Sequence, residues 1–356
     1  MRLRALGVEI TMSVEFRIGE RVVGDKHPPL VIAEIGINHE GSYEKAARMV
    51  DDAAAAGCEC VKFQTHIVDD EMIENDVIPG NARESIWSMM KRCALSAEEE
   101  TALKRQAEAR GMIFLSTPFS RAAADRLNRI GVPAFKIGSG ECNNYPLIEH
   151  IASFGKPIIL STGMNDMPAI KIAVEILRRK SLSFSLLHCS SVYPTPYSLV
   201  RLGAIAEMKT AFPDALLGLS DHSLTIYPCL GAVALGARIL ERHFTSDKQW
   251  PGPDIEVSMD PDELRALITG STAIFSASGG MKGILPEEAP TIAFAYASVV
   301  SIANIAAGDV FDERNIWVKR PGTGEIRAES FDTVLGKRAR ANISKDSSLR
   351  WSDIDG

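Results

Sequence analysis

No stretch of the 356-residue chain approaches the roughly 20 consecutive apolar residues that a bilayer span requires, so no membrane partner is expected. Basic residues are not in excess either. Thirty-nine lysines and arginines against 46 aspartates and glutamates leave a formal charge of -7, which argues against nucleic acid as the main partner. An anionic small substrate stays compatible with that balance, because a few lysines in one pocket act locally. The six cysteines (Cys58, Cys60, Cys93, Cys142, Cys189, Cys229) have neither CxxC spacing nor the density of a disulfide scaffold. Reduced thiols in a cytoplasmic protein are the simplest reading. Residues 1–12 carry Arg2 and Arg4 but are broken by Glu9 and lack the apolar core of a signal peptide. Residues 1–14 read as a disordered lead-in, with Met12 an alternative start.

What the chain has is alternation. Eight short apolar, β-branched runs are spaced through the first 245 residues: 30–35, 60–64, 112–116, 134–137, 157–161, 184–188, 216–220 and 239–244. Stretches with apolar residues recurring at three and four lie between them, at 43–56, 97–110, 121–130, 169–180 and 228–237. Eight strand–helix repeats predict a (β/α)8 TIM barrel over residues 15–280 rather than an open doubly wound sheet. The connection from Thr65 to Arg92 is too long for an ordinary loop and is expected to cover substrate. Residues 281–296, with Gly283, Pro286 and Pro290, read as a linker. Residues 297–356 then predict a compact, mostly β module.

Every run ends in polar groups: Glu34, Lys62, Ser116-Thr117, Lys136 with Ser139, Ser161-Thr162, His188, Ser220 with His222, and His243. Strand ends of a barrel converge on one face, where active sites are built. One lysine there is most simply a side chain snorkelling to the rim. Two lysines beside several hydroxyls point instead to a cradle for phosphate or carboxylate. His222 and His243 end neighbouring strands, and two imidazoles with open positions suit a divalent, manganese-like or zinc-like Lewis acid. A lone strand-end histidine is more often a hydrogen-bonded wall residue. Glu34, ending Val-Ile-Ala-Glu34, must be paired or ligand-bound, and a salt bridge to Lys62 is the competing explanation. Glu141 and Asp254 follow the loop sequences Gly138-Ser139-Gly140 and Pro251-Gly252-Pro253, where a solvated carboxylate is a fair alternative.

Taken in order, Ala33-Glu34-Ile-Gly-Ile-Asn38-His39-Glu40-Gly41, Lys62-Phe-Gln64-Thr-His66, Ser116-Thr-Pro-Phe119, Lys136-Ile-Gly-Ser139-Gly-Glu141, Gly218-Leu-Ser-Asp-His222, Glu241-Arg-His243-Phe and Pro251-Gly-Pro-Asp254 resemble the sialic acid synthase family. The resemblance runs from about Val23 to Gly356. It includes Lys319-Arg320-Pro321-Gly322, in a C-terminal module similar to the antifreeze-like (SAF) domain. Cys142-Asn143-Asn144-Tyr145-Pro146 and Tyr193-Pro-Thr-Pro196 are most similar to the bacterial N-acetylneuraminate synthases.

The resemblance implies condensation of phosphoenolpyruvate with N-acetylmannosamine to N-acetylneuraminate and phosphate. It further implies a divalent metal on His222 and His243, Mn2+ first, with Mg2+ or Co2+ as alternatives. By the same resemblance Lys62, Thr117, Ser139 and Ser220 contact phosphate, and Lys136 lies near the phosphoenolpyruvate anion. Glu34, Tyr193 and Asp254 match positions that orient the sugar, Gln64 matches a substrate-binding position, and Glu141 matches a proton-transfer position. The chain departs from the family at Ser190-Ser191, where Thr-Asn is frequent; Ser191 still offers a donor to phosphate, with less reach. The family also implies a domain-swapped homodimer in which Arg320 enters the other subunit's site. The alternatives are the same chemistry on another hexosamine, giving a legionaminic or pseudaminic acid, a pyruvate-using metal-dependent aldolase, and a non-catalytic carbohydrate-binding or ice-binding protein.

Overall fold

A computed structural model describes residues 13–80 and 82–355, together with the backbone of Arg4–Ala5 and Val8–Glu9. Most of the segment read as a disordered lead-in lies outside the described residues. Its described pieces, Arg4–Ala5 and Val8–Glu9, pair as a short antiparallel ladder. The chain divides into two compact units, Met1–Gly279 and Gly280–Gly356.

The first unit is an eight-stranded parallel barrel. Its strands are β1 (Leu30–Gly36), β2 (Cys60–Thr65), β3 (Ile113–Pro118), β4 (Phe135–Ile137), β5 (Ile158–Ser161), β6 (Phe184–Cys189), β7 (Leu216–Asp221) and β8 (Ile239–His243). The ladder runs β3-β2-β1-β8-β7-β6-β5-β4, so β1 meets β8 and the ring closes except for the seam between β3 and β4. The predicted runs and the strands agree to within one or two residues. Helices form where the periodicity is amphipathic. Tyr43–Ala55, for example, starts at Ser42, whose hydroxyl accepts from the Lys45 amide, and it buries Ala46, Met49, Val50 and Ala53 against the barrel.

Strand parity sorts the side chains. Val31, Ala33 and Ile35 pack outward with the helices, whereas Leu30 and Ile32 turn inward with Cys60, Leu115, Ala134, Ile159, Leu187, Leu216 and Ile239. That inner layer is sealed by a hairpin the sequence reading did not foresee, Glu15–Ile18 against Arg21–Gly24. Gly19 takes its turn at φ +60°, and Phe16, Ile18 and Val23 plug the floor of the barrel.

The segment read as a linker is not bare: it holds a helix, Ala289–Ala295, immediately before the second unit's first strand. In that unit Ser298–Ser301 pairs with Ile316–Lys319 and Arg338–Ala339 with Ile354–Asp355, both antiparallel. They surround a core of Val299, Ile305, Phe311, Ile316, Ile326, Val334, Leu349 and Ile354.

Candidate active site

Carrying the inward parity further along each strand changes the chemistry from apolar to polar. Glu34, Lys62 with Gln64, Thr117, Lys136, Ser161, Cys189, Ser220, Glu241 and His243 follow the floor residues at intervals of two, on eight strands. Cross-strand register places His243 beside Glu34, Glu34 beside Lys62, and Ser220 beside Glu241. Gly36, at φ +55°, lets this corner close, because a Cβ there would lie 3.3 Å from Glu34 Oε1, 3.4 Å from Gln64 Nε2 and 3.6 Å from His243 Cε1.

At the centre is a fully buried quartet of charges. Lys62 Nζ is 2.5 Å from Glu34 Oε2 and 3.7 Å from Glu241 Oε1, and it donates to Thr117 Oγ1 at 3.0 Å. Lys136 Nζ is 3.6 Å from Glu241 Oε1 and donates to Ser161 Oγ at 2.8 Å. Glu241 was not among the predicted site residues, although it bridges both lysines. It lies inside the apolar run that His243 ends, and strand parity counted back two positions from His243 is the signal that marks it. Its second oxygen, Oε2, is buried with no hydrogen-bond partner among the described residues.

The quartet therefore begins near neutrality rather than as a cationic cradle. Burial raises the Glu34 carboxyl to about 7 despite the opposing pull of Lys62. Burial also raises Glu241, but Lys136 and Lys62 outweigh it and hold that carboxyl below the ordinary range. Lys62 is lowered by burial and raised more strongly by Glu241 and Glu34. At Lys136 burial wins, and its ammonium is easier to deprotonate than usual.

At the β7–β8 corner the His222 and His243 rings lie 5.5 Å apart, with the Tyr193 ring 4.1 Å from His222 and 6.1 Å from His243. His222 Nδ1 is 3.1 Å from the Ser190 carbonyl, so that nitrogen carries a hydrogen; burial pulls the imidazole down, but Cys189 and that carbonyl outweigh it and hold the ring above the ordinary range. Burial holds His243 neutral, well below the ordinary imidazole range, and its Nδ1 lies 3.9 Å from Asp254 Oδ2. Behind both histidines, on the outward parity, Asp221 and Arg242 form a buried ion pair, and Arg242 also donates to the carbonyls of Ser223 and Thr225. This clip fixes the backbone that follows His222.

Ser139 Oγ accepts from the Gly163 amide at 3.0 Å. A Cβ on Gly163 would stand 2.4 Å from Ser191 Oγ and 2.9 Å from Ser139 Oγ, so these two hydroxyls share one rim with Cys189. Other predicted residues lie apart. Ser116 and His188 have the outward parity; Ser116 Oγ pairs with Thr65 and His188 Nε2 with the Val200 carbonyl. Glu141 has Asn144 as its hydrogen-bond partner at 2.5 Å and makes no contact with the quartet among the described residues; burial raises its carboxyl. Arg320 is exposed in the second unit, directly after the strand Ile316–Lys319.

Residues 49–283 match the NeuB family and residues 296–355 the SAF domain. The chain belongs to the NeuB family. That is the sialic acid synthase family of the sequence reading. It is 36% identical to the N,N'-diacetyllegionaminic acid synthase of Campylobacter jejuni, over 90% of this chain and 98% of that one. It is 32% identical to the human N-acetylneuraminate-9-phosphate synthase, over 94% and 95%. Among solved structures, the N-acetylneuraminic acid synthetase of Leptospira borgpetersenii matches with a TM-score of 0.73 at 34% identity, covering 79% of this chain and 95% of that one.

Proposed function

We propose that this NeuB-family chain joins phosphoenolpyruvate to the open-chain aldehyde of a 2-acetamido sugar, with N-acetylmannosamine as first candidate. Water is consumed, and N-acetylneuraminate and inorganic phosphate are released. The observation that carries the reading is the buried quartet of Glu34, Lys62, Lys136 and Glu241 at the barrel mouth, ringed by hydroxyls. Two buried lysines held by carboxylates are poised to exchange those partners for an anionic substrate, and Glu34 is poised to take up a proton as the anion enters.

In this reading Lys62, Thr117, Lys136, Ser139, Ser191 and Ser220 bind the phosphate and carboxylate. Glu34, Gln64, Tyr193 and Asp254 orient the sugar. Carbon 3 of the enol bonds to the aldehyde carbon, and the aldehyde oxygen gains a proton. Water adds at carbon 2, loses a proton, and phosphate departs by cleavage of the bond between carbon 2 and oxygen. Glu34 lies closer to these events than Glu141, which keeps its expected proton-transfer role only if substrate draws it inward.

His222 and His243 suit two ligands of a divalent ion such as Mn2+: the buried His243 is neutral and keeps a lone pair, and His222, oriented through Nδ1, offers Nε2 once that nitrogen gives up its proton. No group of three or more His, Cys, Asp or Glu side chains that could hold a metal ion occurs among the described residues, so the metal reading rests on the two imidazoles alone. A bound ion would supply Lewis acidity at the aldehyde oxygen. Completion of the site by Arg320 from a second copy, in a cytoplasmic homodimer, belongs to the same reading.

A second reading has its own support. The legionaminic acid synthase relative is at least as similar as the human neuraminate-9-phosphate synthase, so a 2,4-diacetamido hexose is the competing sugar. Phosphate release from phosphoenolpyruvate with each sugar, with chelator or added Mn2+, and the mass of the product, tests both. Release with the diacetamido sugar alone would replace the first reading, and no release with either would overturn the reaction.

A further inference from the structure

Among the groups the proposed reaction leaves unused, those behind Gln64 are the most completely built. His66 is buried one residue past β2, and its ring stacks on Phe119 with centroids 4.7 Å apart and planes 12° apart. Its Nδ1 is 2.8 Å from Glu71 Oε2, and its Nε2 is 3.0 Å from Gln64 Oε1. Gln64 Nε2 in turn donates to Glu34 Oε1 at 3.3 Å. Glu71, His66, Gln64 and Glu34 thus stand in single file from the base of the long 65–92 loop to the barrel mouth.

With Glu34 ionised and therefore only accepting, Gln64 offers its NH2 to Glu34 and its carbonyl oxygen to His66; the Glu71 carboxylate accepts from Nδ1, so in this direction both ring nitrogens carry hydrogen and Nε2 donates. A primary amide is nearly symmetric in shape and its last torsion is broad, so packing alone would not distinguish its two ends. A donor locked from behind does.

We infer that His66, backed by Glu71 and clamped on Phe119, is the positioning residue that holds the Gln64 amide with its NH2 toward Glu34 and the mouth, selecting a sugar substituent that accepts a hydrogen bond. The selection rests on the proposed sugar-binding role of Gln64; the clamp itself does not.

Gln64, Gln106 and Gln249 are the only glutamines in the sequence, so the side-chain amide spectrum of the full-length chain labelled with 15N-glutamine is simple, and Gln64→Leu assigns the signal. His66→Phe keeps a ring against Phe119 and removes both nitrogens. In that variant the Gln64 amide signals move toward those of free glutamine, and the KM for the sugar rises about tenfold while the KM for phosphoenolpyruvate stays within about twofold. His66→Gln, which returns a donor, recovers most of both. Should His66→Phe fold poorly because Glu71 is left unpaired, the double variant with Glu71→Leu removes both groups together. Unchanged Gln64 signals would overturn the clamp whether or not any sugar is turned over. Shifted signals with an unchanged sugar KM would overturn the selection. A wild-type chain inactive with every sugar would count against the proposed function instead, and the spectra would still decide the clamp.

Discussion

The two ends of the barrel interior are made by the same eight strands with the same parity, yet they share almost no chemistry. At the floor, Leu30, Ile32, Cys60, Leu115, Ile159, Leu187 and Ile239 meet the Phe16–Ile18 plug, and the layer is apolar throughout. Two residues further along seven of the strands stand Glu34, Lys62, Thr117, Lys136, Ser161, Cys189 and Glu241, and on the eighth Ser220 stands four beyond Leu216. Burial is similar at both ends, so burial cannot account for the difference. The floor gains free energy from area removed from water, roughly 25 cal/mol per Å². The mouth buries charges whose desolvation is offset only by one another. Stability and chemistry are thereby separated along one axis, and each can be altered without the other.

The severest challenge to that separation is Lys62→Met, which removes the ammonium shared by Glu34, Glu241 and Thr117. Phosphate release is expected to fall roughly 10²–10³-fold in kcat/KM. The fold should survive, because Glu34 can take up a proton and leave less charge unpaired. A stability collapse with activity lowered less than tenfold would make the lysine structural and erase the contrast.

The converse variant acts on the floor. Ile18 is fully buried in the plug, and Ile18→Ala should cost about 2–4 kcal/mol in denaturant unfolding by the usual transfer and cavity terms. The kcat measured well below the unfolding transition should not change. A changed kcat would mean that the floor positions the mouth residues.

Why the mouth was more legible than the floor follows from particular residues. Polar groups ending apolar runs stand out, so Glu34, Lys62, Lys136 and both histidines were found from the runs alone. The end of an apolar run marks the mouth end of a strand but not its parity. Ser116 and Thr117 therefore look alike in the sequence although they face opposite sides, and Glu241, on the inner side two residues before His243, lies inside its run and does not stand out. The hairpin over 15–24 escaped because its strands are four residues each and offer only Phe16, Ile18 and Val23 as inward signals. The helix Ala289–Ala295 escaped because Pro286 and Pro290 read as breakers, whereas Pro290 lies in its first turn, where its missing N–H costs nothing. Pairing distances in the quartet depend on the closure of eight distant segments, which no local pattern encodes.

A pH series sharpens the comparison through Glu34. Its folded pKa, about 7, lies above the unfolded value of 4.5, so between these pH values the folded chain holds a proton that the unfolded chain has released. Stability from this group is thus greatest at the acid side and falls as pH rises through that window, by on the order of 2 kcal/mol. Glu241 behaves oppositely, since its lowered pKa contributes stability above the ordinary carboxylate range that is lost in more acid solution. Burial holds His39 and His243 below the ordinary imidazole range, which adds stability as pH rises, so the Glu34 contribution is read as a difference: from pH 5 to pH 8 the wild-type chain should lose stability relative to Glu34→Gln, whereas Ile18→Ala should shift both values equally. The same pH dependence in the wild-type chain and Glu34→Gln would assign the proton elsewhere.

The smallest expected effect is at the rim, and it tests how finely the mouth is fitted. The three atoms nearest to the Cβ introduced by Gly163→Ala are the far ends of Ser191, Ser139 and Cys189, each able to turn about χ1, so the fold should be unaffected. Moving Ser139 Oγ also weakens its bond from the Gly163 amide, 3.0 Å in the parent chain. If Ser139 and Ser191 hold phosphate, the KM for phosphoenolpyruvate should rise about three- to tenfold, in line with one weakened hydrogen bond, and the KM for the sugar should stay constant. An unchanged phosphoenolpyruvate KM would detach this rim from the phosphate and leave Lys62, Thr117, Lys136 and Ser220 to hold it. A rise in the sugar KM alone would instead assign the two hydroxyls to the sugar, on the side of the mouth that Gln64 and Glu34 already share.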